Sequence, residues 1–100
     1  MKLQVAIDLV DTQGLLKLAA SIHDLVDIVE VGTPVVMLEG QLPVRRLRKA
    51  YPELTILDDT KIADGGALEA GYAVAAGADI MTVLAVSDDL TIQGGHSGCP

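Results

Sequence analysis

The stretch LTILDDTKIAD, residues 54–64, joins a short apolar run to four charged side chains. Similar apolar runs, rich in Val, Ile and Leu, recur along the chain at residues 3–9, 26–31, 54–58 and 79–84. Strands that are buried on both faces of a parallel sheet have this length and composition. The recurrence therefore predicts four parallel strands.

The segments between these runs have helical periodicity. Leu15, Ala19 and Ile22 form an apolar stripe that is typical of an amphipathic helix. The predicted helix boundaries are an N-cap at Asp11 or Thr12, a start at Pro43, a C-cap at Gly77 and a start near Asp88. The order βαβαβαβ(α) predicts an α/β fold with right-handed crossovers between parallel strands.

A weak internal repeat relates the two halves of this pattern. Residues 3–8 align with 54–59, and residues 27–31 align with 79–83. Two βαβα quarters of this length make half of a (β/α)8 barrel, whose full length is about 250 residues. Whether the repeat reflects a duplication or only the likeness of buried strands stays open. We predict a half-barrel over residues 1–93 and an unstructured Gly-rich tail, GGHSGCP, over residues 94–100.

Composition excludes several classes of function. Seven Lys and Arg residues stand against fourteen Asp and Glu residues, which gives a net charge of −7. This charge repels phosphate backbones and anionic lipids, so we expect neither nucleic acid nor a membrane as a partner. The only cysteine, Cys99, excludes an intrachain disulfide and favours a reducing, cytoplasmic compartment.

Acidic residues stand at the carboxyl ends of three predicted strands, namely Asp8, Glu30 and the pair Asp58 and Asp59. In a parallel barrel these ends form one rim, where catalytic groups collect. Clustered carboxylates repel one another unless a cation joins them, and a hard ion such as Mg²⁺ suits oxygen ligands. Asp8 could equally cap the next helix. Glu30 is harder to explain structurally, because an unpaired charge in an apolar strand costs several kcal/mol.

Lys61 lies within the densest group of charges. If the strand continues that far, Asp59 and Lys61 project to the same side. Flanking carboxylates favour the ammonium form of Lys61, and an ammonium beside Mg²⁺ would stabilise an enediolate. Asp64 has two interpretations that the residues leave open: the N-cap of the next helix or a catalytic group.

Four stretches together resemble the 3-hexulose-6-phosphate synthases, which belong to the orotidine-5′-phosphate decarboxylase superfamily of TIM barrels. They are QVAID (4–8), VDIVEVGTP (26–34), the Asp59-x-Lys61-x-x-Asp64-Gly65 motif and AGADIMTVL (76–84). The motif marks the superfamily. The 30–34 stretch and Gly65 narrow the resemblance to the synthases and their sister family, the 3-keto-L-gulonate-6-phosphate decarboxylases. The resemblance covers residues 1–94, and it implies a truncated half-barrel of the (β/α)8 family.

The resemblance implies a role for each matching residue. Glu30 and Asp59 match Mg²⁺ ligands, and Asp8 and Lys61 match groups that contact the substrate hydroxyls and stabilise the enediolate. Asp64 matches an acid that reaches into the partner's site in the dimers of the family, so a homodimer is expected. The implied reaction is a reversible aldol condensation, in which ribulose 5-phosphate loses a C1 proton and the enediolate attacks formaldehyde.

Family members continue for four more βα units, which carry phosphate-binding loops and a catalytic histidine. His23 and His96 do not match that histidine, so we expect low activity from this chain alone. Three alternatives stay open. They are the sister decarboxylase, a Schiff-base aldolase with Lys61 as nucleophile, which the flanking carboxylates disfavour, and a non-catalytic half-barrel that assembles through its open sheet edges.

Overall fold

A computed structural model describes residues 1–98 of the chain. Its elements are β1 (Gln4–Ile7), α1 (Thr12–Ile22), β2 (Ile28–Val31), α2 (Thr33–Glu39), α3 (Leu42–Ala50), β3 (Thr55–Ile62), α4 (Gly66–Ala76), β4 (Ile80–Val83) and α5 (Asp89–Ser97). The four strands form one parallel sheet in the order β1-β2-β3-β4. The predicted α/β class with parallel strands is confirmed.

One face of the sheet is covered by helices and the other face is open. Val29, Val31 and Ile56 point to the covered face, where they are buried against Leu15, Leu47 and other apolar helix residues. The register pairs Glu30 with Ala6 and Leu57, so these residues lie together on the opposite face. Because alternate residues of a strand point to opposite faces, the charge of Glu30 is kept away from the apolar core.

Helix boundaries follow the predicted caps closely. The Asp11 side chain accepts a hydrogen bond from the Gly14 N–H at 2.8 Å at the start of α1. Asp88 does the same for Thr91 at 2.7 Å at the start of α5, and Gly77, in the left-handed conformation, ends α4. These sites satisfy helix-end groups that have no partner within the helix.

The crossover from β2 to β3 holds two helices, where the periodicity predicted one. Helix α2 starts directly after Gly32, has Pro34 in its first turn and ends at Gly40, whose φ is 64°. With seven residues it is too short for an apolar stripe to be recognisable. Helix α3 then starts at Leu42, beside the predicted Pro43.

The predicted unstructured tail is wrong for residues 94–97, which continue helix α5. Its glycines permit close packing on α4 and β4. A Cβ on Gly94 would lie 2.9 Å from the Ala67 nitrogen, and one on Gly95 would lie 2.6 Å from Val83. Glycine thus serves helix packing here, whereas the composition of this segment predicts disorder. Gly98 is the C-cap of α5, and the last two residues, Cys99 and Pro100, lie outside the described residues.

An arginine ties together the amino-terminal end of the sheet, opposite the acidic rim. Arg48 donates to the carbonyl oxygens of Gly77 and Leu54 at 2.9 and 2.7 Å, and it forms an ion pair with Asp79 at 2.5 Å. The Asp79 carboxylate also accepts from the Ile56 N–H at 2.8 Å. This end of the sheet is therefore a structural clamp, which leaves the carboxyl ends for chemistry.

Candidate active site

Asp8 and Asp59 lie on either side of Gly32 at one level of the open face. The register pairs Ile7 with Val31 and Val31 with Asp58, so the residue after each of these shares a level. A Cβ on Gly32 would lie 1.8 Å from Asp8 Oδ1. The Asp8 carboxylate therefore occupies the space over Gly32 that any other residue would fill. Asp8 is not the cap of α1, because Asp11 has that role.

Glu30 lies one level below, on the same face. It pairs with Leu57, two residues before Asp59. Strand spacing and rise put the Glu30 and Asp59 Cα atoms roughly 8 Å apart, as diagonal neighbours. Gln4 Nε2 donates to Glu30 Oε1 at 2.7 Å, which supports this carboxylate from β1. Two carboxylates on adjacent strands of one face can lean towards a shared ion.

Lys61 and Asp59 form an ion pair at the end of β3, as predicted for a strand that continues this far. Strand β3 extends to Ile62, four residues beyond the predicted end. Lys61 Nζ also donates to the Thr33 hydroxyl at 2.5 Å. Within residues 1–98, Asp59 is the one carboxylate paired with Lys61, so the expected second flanking carboxylate is not found.

Two threonines from the neighbouring elements complete the surroundings of Asp59. Thr33 Oγ1 lies 2.8 Å from Asp59 Oδ2, and Thr82 Oγ1 donates to Asp59 Oδ1 at 2.7 Å. Partial burial raises the pKa of the Asp59 carboxyl. The hydrogen bonds from Lys61, Thr82 and Thr33 and the charge of Lys61 outweigh that effect, so the pKa is lowered overall. Asp59 is held as a carboxylate.

Asp58 points away from this site, into the helix-covered face, where it is fully buried. Burial raises its pKa to about 6, with the nearby Gln41 side chain opposing this and the charge of Asp59 adding to it. Within residues 1–98, neither Asp58 oxygen has a hydrogen bond of good geometry. The predicted pair of rim acids is therefore wrong for Asp58, because neighbouring residues of a strand face opposite sides.

Asp64 lies exposed between β3 and α4. Helix α4 starts with Gly65 as its N-cap, at a φ of 59° and with no side-chain hydrogen bond to the helix. The cap alternative for Asp64 is therefore wrong. The catalytic alternative stays a prediction.

Sequence reasoning assigned no role to Thr33, Thr82 or Gln4. One signal pointed to Thr82, because the internal repeat aligns it with Glu30. The side chains that touch Asp59 come from three elements, and only folding brings these together. Pairings of this kind are decided by sheet register, which residue spacing along the chain does not contain.

The chemistry of these groups fits a hard cation. Glu30 and Asp59 offer oxygen ligands, and Mg²⁺ is commonly held by one or two carboxylates while water or substrate completes its shell. No cluster of three or more His, Cys, Asp or Glu residues with metal-binding geometry occurs within residues 1–98. In the same part of the chain, none of the helices has the length and apolar character needed to cross a bilayer.

Known proteins resemble the chain over almost its whole length. It is 48% identical over 94 residues to the 3-hexulose-6-phosphate synthase of Mycobacterium gastri, covering 94% of this chain and 45% of that protein. A crystal structure of a 3-hexulose-6-phosphate synthase matches with a TM-score of 0.96 at 46% identity, covering 98% of this chain and 47% of that one. A third match is the structure of KGPDC, a 3-keto-L-gulonate-6-phosphate decarboxylase, from Streptococcus mutans, which was determined in complex with a sugar phosphate. It matches with a TM-score of 0.93 at 33% identity, covering 97% of this chain and 44% of that one.

The chain spans about half the length of these relatives. Four parallel strands that match half of such a structure confirm the predicted half-barrel. The family model described as orotidine 5′-phosphate decarboxylase / HUMPS matches residues 1–99. Together with the shared sheet order and the Asp59-x-Lys61-x-x-Asp64 motif, this match shows that the chain belongs to the orotidine 5′-phosphate decarboxylase / HUMPS family.

Proposed function

We propose that this chain forms the half of a 3-hexulose-6-phosphate synthase that binds Mg²⁺ and stabilises the enediolate. The observation that carries the proposal is the ion pair of Lys61 with Asp59 on the same face as Glu30 and Asp8. Its support from known proteins is 48% identity to the Mycobacterium gastri synthase, against 33% to KGPDC. In this proposal the substrates are ribulose 5-phosphate and formaldehyde. Cytoplasmic location and a homodimer stay predictions.

Each residue has a separate part in the proposed reaction. Glu30 and Asp59 would hold Mg²⁺, which when bound supplies Lewis-acid polarisation of the sugar oxygens. Lys61 presents a fixed ammonium to the negative charge that develops when the C1–H bond breaks. Asp8 accepts a hydrogen bond from a substrate hydroxyl. The proton that leaves C1 goes to a base, for which the resemblance implies a histidine beyond this chain. The C1 carbon then forms a bond to the carbon of formaldehyde, whose oxygen takes up a proton to give 3-hexulose 6-phosphate.

Pre-organisation by the protein is central to this assignment. Lys61 is already oriented by Asp59 and by the Thr33 hydroxyl, so its charge needs little rearrangement when substrate binds. Removal of one preorganised donor of this kind lowers turnover by about 100-fold to 1,000-fold. Gly32 contributes because it has no side chain, which leaves the space into which Asp8 extends.

The metal part of the proposal can be tested on the chain itself. Isothermal titration with Mg²⁺ is expected to show binding that Glu30→Gln and Asp59→Asn each weaken by about tenfold or more, since each removes a charged ligand. Glu53→Gln is the matched control, because this exposed glutamate lies at the opposite end of the sheet. Equal affinity in all four proteins would contradict the assignment.

The reaction can be tested in a chimera that joins this chain to the carboxyl-terminal part of the Mycobacterium gastri synthase. We expect turnover of ribulose 5-phosphate with formaldehyde, and a loss of about 100-fold or more in Lys61→Met. The competing activity is decarboxylation of 3-keto-L-gulonate 6-phosphate, which the likeness to KGPDC supports. Faster turnover of that substrate would favour the decarboxylase.

A further inference from the structure

Thr82 on β4 links Asp59 and Lys61, two of the charged residues of the candidate site, through one hydroxyl. Its Oγ1 donates to Asp59 Oδ1 at 2.7 Å and accepts from the backbone N–H of Lys61 at 2.9 Å. A hydroxyl has one proton to donate and two lone pairs to accept with, so both bonds form at once. Thr82 therefore contacts the side chain of one charged residue and the backbone of the other.

The backbone of Lys61 needs such support. Its φ is 46°, and it is the only residue other than glycine with a positive φ within residues 1–98. This conformation is uncommon for a residue with a side chain, and it persists only where the surroundings hold it. It lies at a shift in the register between β3 and β4, bounded by Asp58 and Ile62.

The irregular segment is tied to Thr82 at two points. The Lys61 N–H bonds to the Thr82 hydroxyl, and the Thr60 hydroxyl donates to the Thr82 carbonyl oxygen at 2.8 Å. Strand irregularities of this kind often re-aim a side chain next to an active site. Here the irregular residue is Lys61 itself, whose ammonium pairs with Asp59, and Thr82 also holds the Asp59 side chain.

We infer that Thr82 is a positioning residue, which holds Lys61 and Asp59 in the geometry that enediolate stabilisation requires. It acts through these two residues and not on the substrate. The inference rests on the proposed function for its catalytic meaning, whereas the contacts themselves are independent of any reaction. Thr33 differs from Thr82 because it contacts the Lys61 ammonium and not the Lys61 backbone.

Three variants of the full chain separate the hydroxyl from the shape of the side chain. Thr82→Val removes the hydroxyl and keeps the volume, and Thr82→Ser keeps the hydroxyl. Thr55→Val makes the same change at the other end of β3 as a matched control. The first measurement is hydrogen–deuterium exchange of the Lys61 amide by NMR. We expect exchange about tenfold faster in Thr82→Val, in line with the loss of one hydrogen bond, and near-normal rates in Thr82→Ser and Thr55→Val.

The second measurement is Mg²⁺ affinity, with the thermal midpoint recorded alongside. Affinity is expected to fall about threefold or more in Thr82→Val and to return in Thr82→Ser, because only the former leaves Asp59 without its Oδ1 donor. If Thr82→Val does not fold, Thr82→Ala replaces it with the same expected results. Equal exchange rates of the Lys61 amide in Thr82→Val (or Thr82→Ala) and in Thr82→Ser would overturn the inference. Absence of Mg²⁺ binding by the unaltered chain counts against the proposed function instead, and the exchange rates still decide the role of Thr82.

Discussion

Asp58 and Asp59 are neighbours with identical side chains, and their surroundings shift their pKa values in opposite directions. Asp59 faces the open side, where Lys61 and two threonine hydroxyls donate to it and lower its pKa. Asp58 faces the covered side, where burial raises its pKa to about 6. For a single residue, the face of the strand decides whether a carboxyl is held charged or favoured as neutral.

The raised pKa of Asp58 predicts how stability depends on pH. The folded state binds more protons than the unfolded state between the ordinary pKa of 3.8 and the folded pKa of about 6. The free energy of unfolding should therefore fall as pH rises through this window, by up to about 3 kcal/mol for a shift of this size. Asp59 acts in a separate window, because its lowered pKa contributes stability that is lost only as the pH falls through its folded value.

Asp58→Asn should remove this dependence and raise stability at pH 7, since the amide stays neutral and supplies a donor for the buried Gln41 oxygen. Urea denaturation at several pH values between 4 and 7 measures it. The exposed Asp24→Asn is the control, which should keep the slope of the unaltered chain. An unchanged slope in Asp58→Asn would show that another group titrates in this window.

Among the elements, the contact between α4 and α5 depends on glycine. Gly66 and Gly94 face the opposite helix so closely that a Cβ on Gly66 would lie 2.1 Å from the Thr91 carbonyl oxygen. Such a contact requires a backbone to move, which is more costly than rotating a side chain. The Gly-rich end of the chain is thus a packing surface, and this explains why composition alone misassigned it.

Two glycine substitutions in α4 should have opposite effects on stability. Gly66→Ala should destabilise the protein by about 1–3 kcal/mol, because of the overlap with α5. Gly71→Ala should stabilise it by roughly 0.5–1 kcal/mol, because a Cβ there meets no atom within 4 Å and alanine favours a helix. Thermal or urea denaturation of both variants measures the difference. Equal effects would mean that α5 does not pack on α4 as described.

Across the molecule as a whole, the sheet has two open edges and one open face. Within residues 1–98, β1 and β4 each pair with one strand, and Ile80 on the open face is 39% exposed. Open edges of a sheet favour pairing with another chain. The chain spans about half the length of the relatives that it matches.

We therefore predict that the 100-residue chain associates with itself through the sheet. Size-exclusion chromatography with light scattering should give a concentration-dependent mass above 10.4 kDa. Ile80→Lys should shift it towards the monomer, because a lysine on the open face opposes pairing. Leu68→Lys, on the outside of α4 and 62% exposed, is the control and should leave the mass unchanged. If Leu68→Lys lowered the mass and Ile80→Lys did not, the helices would be the associating surface. A monomer at every concentration would contradict the prediction.

Local features were enough to predict much of this protein. Interactions between near neighbours in the chain determine the strand-forming runs, the helix caps at Asp11 and Asp88 and the helix end at Gly77. The sequence contains this information directly. The placement of Glu30, Asp59 and Lys61 near one rim could be predicted because parallel strands bring their carboxyl ends to the same edge of the sheet. The short helix α2 could not be predicted, because seven residues are too few to show a helical period. The helical end of the chain could not be predicted either, because glycine occurs both in disordered segments and where helices pack closely.

The α/β order and the residue types at the rim could be worked out from the amino-acid sequence, because strand runs and helix caps follow from interactions between near neighbours in the chain. Three features needed the folded sheet: which of two adjacent aspartates faces the site, which threonines touch Asp59, and the positive φ that Lys61 adopts beside it. Contacts across the sheet depend on register, where a shift of one residue turns every side chain to the opposite face.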